Sequence, residues 1–124
     1  MNNKDECACC SGPKLVFSCS GAADVGELSD IIARQIHRNG TGKMFCMAGL
    51  GGNVSGIIKS TESASKILAI DGCSLDCTKR SLVNSGFNEF EHIRLTDYGI
   101  KKGNLNLTDE LLLQLIQQCE DRIV

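Results

Sequence analysis

Apolar and polar positions along the chain follow two rhythms: short continuous apolar runs, and longer stretches with apolar residues at helical spacing. Lys14-Leu15-Val16-Phe17-Ser18-Cys19 and Lys66-Ile67-Leu68-Ala69-Ile70 are runs of strand length, apolar enough to be buried on both faces of a sheet. After the first, Ser20-Gly21-Ala22-Ala23 turns into a helix. Asp24 followed by Glu27 resembles a capping box, Val25, Leu28, Ile32 and Ile36 form an apolar stripe, and Asn39-Gly40 is a stop signal. Lys43-Met44-Phe45-Cys46-Met47-Ala48 reads as a second strand, and Gly49-Leu50-Gly51-Gly52 as a loop whose glycines let backbone approach a ligand. Val54, Ile57 and Ile58 suggest one helical turn, and Ser60-Thr61-Glu62 the opening of another. Beyond the third strand, residues 78–83 read as a helix that stops at Gly86. Glu89-Phe90-Glu91-His92-Ile93-Arg94-Leu95 alternates, as an edge strand with one wetter face does. Thr108 caps a last helix on which Leu112, Leu115, Cys119 and Ile123 share one face.

This order of strand and helix predicts a single α/β domain over residues 13–124. Its sheet is mostly parallel and four-stranded, with helices on both faces in Rossmann-like layers. A polar, flexible leader holding Cys7, Cys9 and Cys10 precedes it over residues 1–12. In such a sheet, sites lie outside the carboxyl ends of the strands. Cys19 and Cys46 fall at or near the ends of the first two strands, and Cys73 just past the third. Cys77 follows four residues later, so at a helix start the sulfurs of Cys73 and Cys77 can face one side. A thiolate there also meets the unpaired N–H groups of the helix. Four cysteines distant in sequence are thus delivered to one edge of one sheet. A tetrahedral zinc needs its sulfurs about 3.8 Å apart, which neighbouring strand ends spaced about 4.8 Å can meet. Thiolate ligands select zinc over magnesium or calcium, a preference iron shares.

Composition sharpens this. Eight cysteines among 124 residues are many, yet the patterning is that of regular α/β structure rather than of a small disulfide scaffold. The polar start, Met1-Asn2-Asn3-Lys4-Asp5-Glu6, reads as no signal peptide, and no apolar segment approaches the ~18 residues of a membrane span. The expectation is a cytoplasmic protein whose thiols stay reduced for metal or redox chemistry. A formal net charge of −2 with no basic run, and the lack of Trp, argue against nucleic acid as a partner.

Each candidate has a plainer reading. Cys119 sits in the core stripe of its helix and reads as a small hydrophobe. The leader thiols read as incidental before they read as ligands. His37 closes a helix and reads as a solvated cap, while His92 reaches the site only if its face of the strand points there. Asp71, Asp24 and Asp76 cap helices or orient ligands, and Lys79 and Arg80 offset thiolate charge or are solvated. Cys19 in a strand-to-helix turn also invites comparison with phosphatases and arsenate reductases bearing Cys-x5-Arg, but the Arg position is Val25. That chemistry is rejected.

Three blocks carry a family resemblance: residues 15–27, from Leu15-Val16-Phe17-Ser18-Cys19-Ser20-Gly21 to Asp24-Val25-Gly26-Glu27; Cys46-Met47-Ala48-Gly49-Leu50-Gly51-Gly52; and Asp71-Gly72-Cys73-Ser74-Leu75-Asp76-Cys77. With Thr96-Asp97-Tyr98-Gly99-Ile100-Lys101-Lys102-Gly103, they resemble the DGC-domain family, over nearly all the chain after Pro13. The resemblance implies a small zinc-binding protein with a four-cysteine ligand set, which falls here on Cys19, Cys46, Cys73 and Cys77. It names no reaction and no protein partner. The reading is therefore a Zn2+-binding protein with a four-cysteine site at the sheet's carboxyl edge, engaged in metal handling or sensing. The alternative is a thiol-disulfide redox enzyme using Cys73 and Cys77.

Overall fold

The structure is a computed structural model, and it describes residues 12–124. All but the last residue of the expected leader, with Cys7, Cys9 and Cys10, lies outside the described residues. Four strands form one parallel sheet in the order β2-β1-β3-β4: β1 is Lys14–Ser18, β2 Lys43–Met44, β3 Lys66–Asp71 and β4 Glu91–Arg94. The two continuous apolar runs, β1 and β3, take the centre, where both of their faces are covered. Register runs Leu15↔Ile67 to Ser18↔Ile70 between them, and Leu68↔Glu91 to Asp71↔Arg94 across to β4.

Five helices cover the sheet: α1 (Asp24–Asn39), α2 (Met47–Gly51), α3 (Ser55–Glu62), α4 (Cys77–Asn84) and α5 (Asp109–Asp121). A 3-10 turn, Leu95–Tyr98, follows β4. The expected stripe of α1 is buried in full and packs with Leu115, Cys119 and Ile123 of the α5 region against Val16, Leu68 and Ile70. On the other face, Leu50, Ile57 and Leu82 from α2, α3 and α4 cover Leu15, Phe17 and Ala69. Each fully buried aliphatic side chain contributes about 1.5–3 kcal/mol, so two cores, one per face, hold the layers together. Thr108 caps α5, its hydroxyl accepting from the Leu111 N–H at 3.1 Å, as the sequence predicts.

Four local expectations are corrected. The second strand is only two residues long, because Cys46 already acts as the N-cap of α2, its sulfur accepting from the Gly49 N–H. The glycine stretch is helix rather than ligand loop. Gly49 is needed because a Cβ there would lie 2.8 Å from Ile57 Cγ1, where α2 presses on α3. Asp24 and Glu27 form no capping box: Ala23 is the N-cap, and no side chain caps it. Asp24 instead accepts the Gly103 N–H with both carboxylate oxygens, at 3.0 and 2.9 Å, pinning the loop that follows the 3-10 turn. The suggested separate turns of residues 54–62 are the single helix α3.

The chain leaves β1 through α1 toward β2, and leaves β3 through α4 toward β4 on the opposite side. The order therefore reverses between β1 and β3. That switch point, beyond the carboxyl ends of the two strands, is the usual place for a site in an open α/β sheet.

Candidate functional site

Asp71, the last residue of β3, organises this edge. Its carboxylate is 1% exposed and accepts from three directions. Oδ1 takes the Thr78 N–H at 2.7 Å, Oδ2 takes the Lys79 N–H at 3.1 Å, and His92 Nε2 lies 2.9 Å from Oδ2. The capping role expected of Asp71 is thus real, though it works across seven residues, from a strand end onto the first turn of α4. Gly72 makes the approach possible, since a Cβ there would meet the backbone of Val25 at 2.7 Å.

Asp76 precedes α4 in the left-handed region, with φ 53°, and offers no side-chain cap. It is held by a two-pronged ion pair: Arg94 Nε to Oδ1 at 2.9 Å and Nη2 to Oδ2 at 2.6 Å. That fork holds the Asp76 carboxyl below the usual carboxylate range, and Asp76 in turn pushes the Arg94 guanidinium up. His92 Nε2 also lies 3.7 Å from Asp76 Oδ1. His92 does reach the strand-end region, where it meets two carboxylates. Asp71, Asp76 and His92 are the one group of three metal-ligating side chains, among the described residues, with donor atoms within 4.8 Å of one another. Their lone pairs already serve backbone N–H groups and Arg94, so the group acts as an internal brace between β3, α4 and β4. Sequence reasoning passed over Arg94. The signal was its position two residues after His92, on the same face of an alternating strand.

Three of the cysteines, Cys19, Cys73 and Cys77, stand near this brace. Cys19 follows β1, its N–H donating to Ile70 O at 2.9 Å and its carbonyl accepting from the Ser29 hydroxyl. Cys73, half-buried, lies in the β3–α4 loop with Lys102 Nζ 3.7 Å from its sulfur. Cys77 opens α4 and is exposed. Its thiol is pushed up by partial burial first, then by the neighbouring Cys19, Asp71 and Cys73. Cys46 stands one strand over. The Phe45 N–H donates to Val16 O at 2.9 Å, so the β1–β2 register continues and brings Cys46 level with Ser18. Its exposed thiol borders a cavity together with Ser18 and Ser20. Cys119 is fully buried, as expected. Among the described residues, no three of these sulfurs lie within 4.8 Å of one another.

Two smaller expectations gain detail. His37 is exposed in the last turn of α1, as expected, and its Nδ1 also accepts the outward N–H of Met44 on the edge strand at 3.1 Å. Arg80 turns back to the Leu75 carbonyl, Nε to O at 2.9 Å. No helix among the described residues is long and apolar enough to cross a membrane.

A family model for the DGC domain matches residues 15–119, from β1 into α5. The Anaerobic and virulence modulator AnvM of Pseudomonas aeruginosa is 36% identical over 88 residues, covering 71% of this chain and 67% of that protein. No solved structure matches the chain. Since the matched span takes in the buried Asp71, Gly72 and all four strand-end cysteines, the chain belongs to the DGC-domain family.

Proposed function

We propose that Cys19, Cys46, Cys73 and Cys77 bind Zn2+ as thiolates and that the protein handles or senses this metal. The observation that carries the reading is the grouping of three thiols, from the end of β1, the β3–α4 loop and the first turn of α4. All three stand at the carboxyl edge where the chain order reverses. Cys77 carries the mark of this crowding, since Cys19, Cys73 and Asp71 all disfavour its negative form. A divalent cation relieves that repulsion, and soft sulfur donors suit zinc. Cys46 is the outlying member and completes the set only by turning from its capping bond to Gly49. Bound metal would tie three strand ends together, so its binding energy would add to folding. Four protein ligands leave no position for a reactive water, which favours handling or sensing over hydrolysis. AnvM is named a modulator, in keeping with a regulatory role for this chain.

The test is metal content of protein purified without added zinc, repeated on single Cys→Ser variants. One zinc per chain is expected in the native protein. Cys73→Ser and Cys77→Ser should lose it, and Cys46→Ser should weaken retention least. A metal-free native protein that also fails to take up zinc after reduction refutes the reading.

One contact favours a second reading, a thiol-disulfide reaction begun by Cys73. Lys102 sets a positive charge against that sulfur, and the Asp24 clamp on Gly103 holds the Lys102 loop in place. The Cys73 thiolate would attack a substrate disulfide and release one thiolate. Cys77 would then displace the second, leaving a Cys73–Cys77 disulfide. Alkylation kinetics on chelator-treated protein separate the two: redox use requires Cys73 to react fastest and to slow in Lys102→Met.

A further inference from the structure

A second feature stands apart from Cys19, Cys73 and Cys77 and from the acidic brace, and shares only Cys46 with the thiols. Along the outer edge of the sheet, between α1 and the β2–α2 segment, runs a cavity of about 580 Å3. That is within the range of small-molecule sites. One wall is charged and comes from a single face of α1, where Asp30, Arg34, His37 and Arg38 recur at helical spacing. The facing wall is apolar, from Met44, Phe45, Met47 and Ala48. Ser18, Ser20 and Cys46 close the end nearest the strands' carboxyl edge.

The polar wall is organised to leave positive charge outward. Asp30 is consumed internally: Oδ1 accepts from the Ser20 hydroxyl at 2.8 Å and Oδ2 from Arg34 Nε at 2.7 Å. Burial pushes the Asp30 carboxyl up, but Arg34 and Ser20 outweigh it and hold it below the usual range, so the carboxylate stays ionised and paired. Arg34 uses only its Nε in that contact, leaving both terminal nitrogens. Arg38 makes no ion pair with any described residue. His37 takes the Met44 N–H on Nδ1, which leaves the ring's own proton on Nε2 as a further donor. The opposite wall is equally set, because Phe45 stands edge-on to buried Phe17, with ring centroids 6.0 Å apart. Donors on one side and a fixed apolar surface on the other define a two-faced ligand.

We propose that this cavity binds a small amphipathic oxyanion, its carboxylate or phosphate head on Arg34 and Arg38 and its apolar body against Phe45, Met47 and Ala48. The proposal does not rest on metal binding, and its test is run with a chelator present. Octyl phosphate, octanoate and 1-octanol are titrated into 15N-labelled, reduced protein and followed by amide chemical shifts. The two anions should produce saturable, one-to-one shifts at Arg38, Phe45, Met47 and Ala48, with 1-octanol about tenfold weaker. The tighter of the two anions names the head group. Arg38→Gln should weaken the anions about tenfold and leave 1-octanol unchanged, while Arg34→Gln should weaken them less because Asp30 already shares that side chain. As an independent readout, bound octyl phosphate should slow maleimide labelling of Cys46 but not of Cys77. Shifts that do not saturate, that map elsewhere, or that persist equally in the Arg34→Gln/Arg38→Gln double variant overturn the proposal.

Discussion

Replacing Asp71 with Ala tests the claim that one buried carboxylate locks the carboxyl edge together. Two backbone donors lose their acceptor, the Thr78 N–H at 2.7 Å and the Lys79 N–H at 3.1 Å, and His92 loses its closest partner. Lys79 is exposed, so water replaces its lost bond. Thr78 is 0% exposed, and no water reaches it. The loss is then a helix cap of about 1 kcal/mol plus one buried orphan donor of about 1–3 kcal/mol. A total of about 2–4 kcal/mol is a large share of a domain stability of about 5–15 kcal/mol. Urea unfolding followed by circular dichroism, with chelator and reductant present, measures it without a metal contribution. Asp71→Asn keeps one acceptor for Thr78 and should cost about half as much. The Asn variant gives a second readout, since removing the carboxylate's charge removes one of the groups that hold up the Cys77 thiol, so Cys77 should alkylate faster. An Asp71→Ala loss below about 1 kcal/mol, with Thr78 amide exchange unchanged, refutes the capping argument.

Other expectations follow from the same contacts. The folded Asp76 carboxyl is lowered by Arg94, so its contribution is present above the unfolded carboxylate range and fades as pH falls through the folded value. Arg94→Met should therefore flatten the acid limb of stability measured by urea midpoints between pH 6 and pH 2. Cys119 runs the other way: burial pushes its thiol up to about 12, so its contribution is full below the unfolded thiol value and is lost as pH rises toward 12. Cys119→Ala should weaken that alkaline loss, and native Cys119 should resist iodoacetamide until urea unfolds the chain. Gly72→Ala forces a Cβ onto the Val25 backbone at 2.7 Å and should cost about 1–3 kcal/mol, read as a lower melting temperature.

What the sequence revealed and what it hid divide along physical lines. The parallel sheet, the stripe of Val25, Leu28, Ile32 and Ile36, and the Thr108 cap were legible because each depends on local period or on a cap next to its helix. β2 was overread because a run such as Phe45-Cys46-Met47 suits strand or short helix equally. What ends the strand is Cys46 capping α2, and α2 is seated where only a glycine at 49 clears Ile57, which no period records. Asp24 and Glu27 have capping-box spacing, but Asp24 is claimed by Gly103, 79 positions away. Cys19, Cys46, Cys73 and Cys77 could be placed at strand ends from order alone. That Cys46 stands apart from the other three depends on strand order in space, with β1 between β2 and β3. Arg94 was placed on the right face by the alternation, but its role was hidden for the same reason: its partner Asp76 sits 18 positions back, and only the β3–β4 pairing brings them together.

The brace and the thiols share one segment, and this explains the Asp71-Gly72-Cys73 sequence without appeal to any ligand. Asp71 must be a carboxylate to accept two N–H groups of α4 together with His92, and Gly72 must lack a Cβ to pass Val25. Cys73 and Cys77 flank the loop so fixed, while Asp76, bound to Arg94 by both oxygens, anchors the residue just before Cys77. The backbone that carries both sulfurs is therefore held at each end by charged hydrogen bonds that use no sulfur. Replacing either cysteine with serine should leave the edge folded, whereas replacing Asp71 or Arg94 should loosen it and misplace both thiols together. Loss of zinc or of thiol reactivity in a cysteine variant can thus be assigned to the missing sulfur, provided its unfolding free energy from urea titration in chelator stays within about 0.5 kcal/mol of the parent. A Cys73→Ser or Cys77→Ser variant as unstable in chelator as Asp71→Ala would show that sulfur packing, not the carboxylate brace, holds the edge.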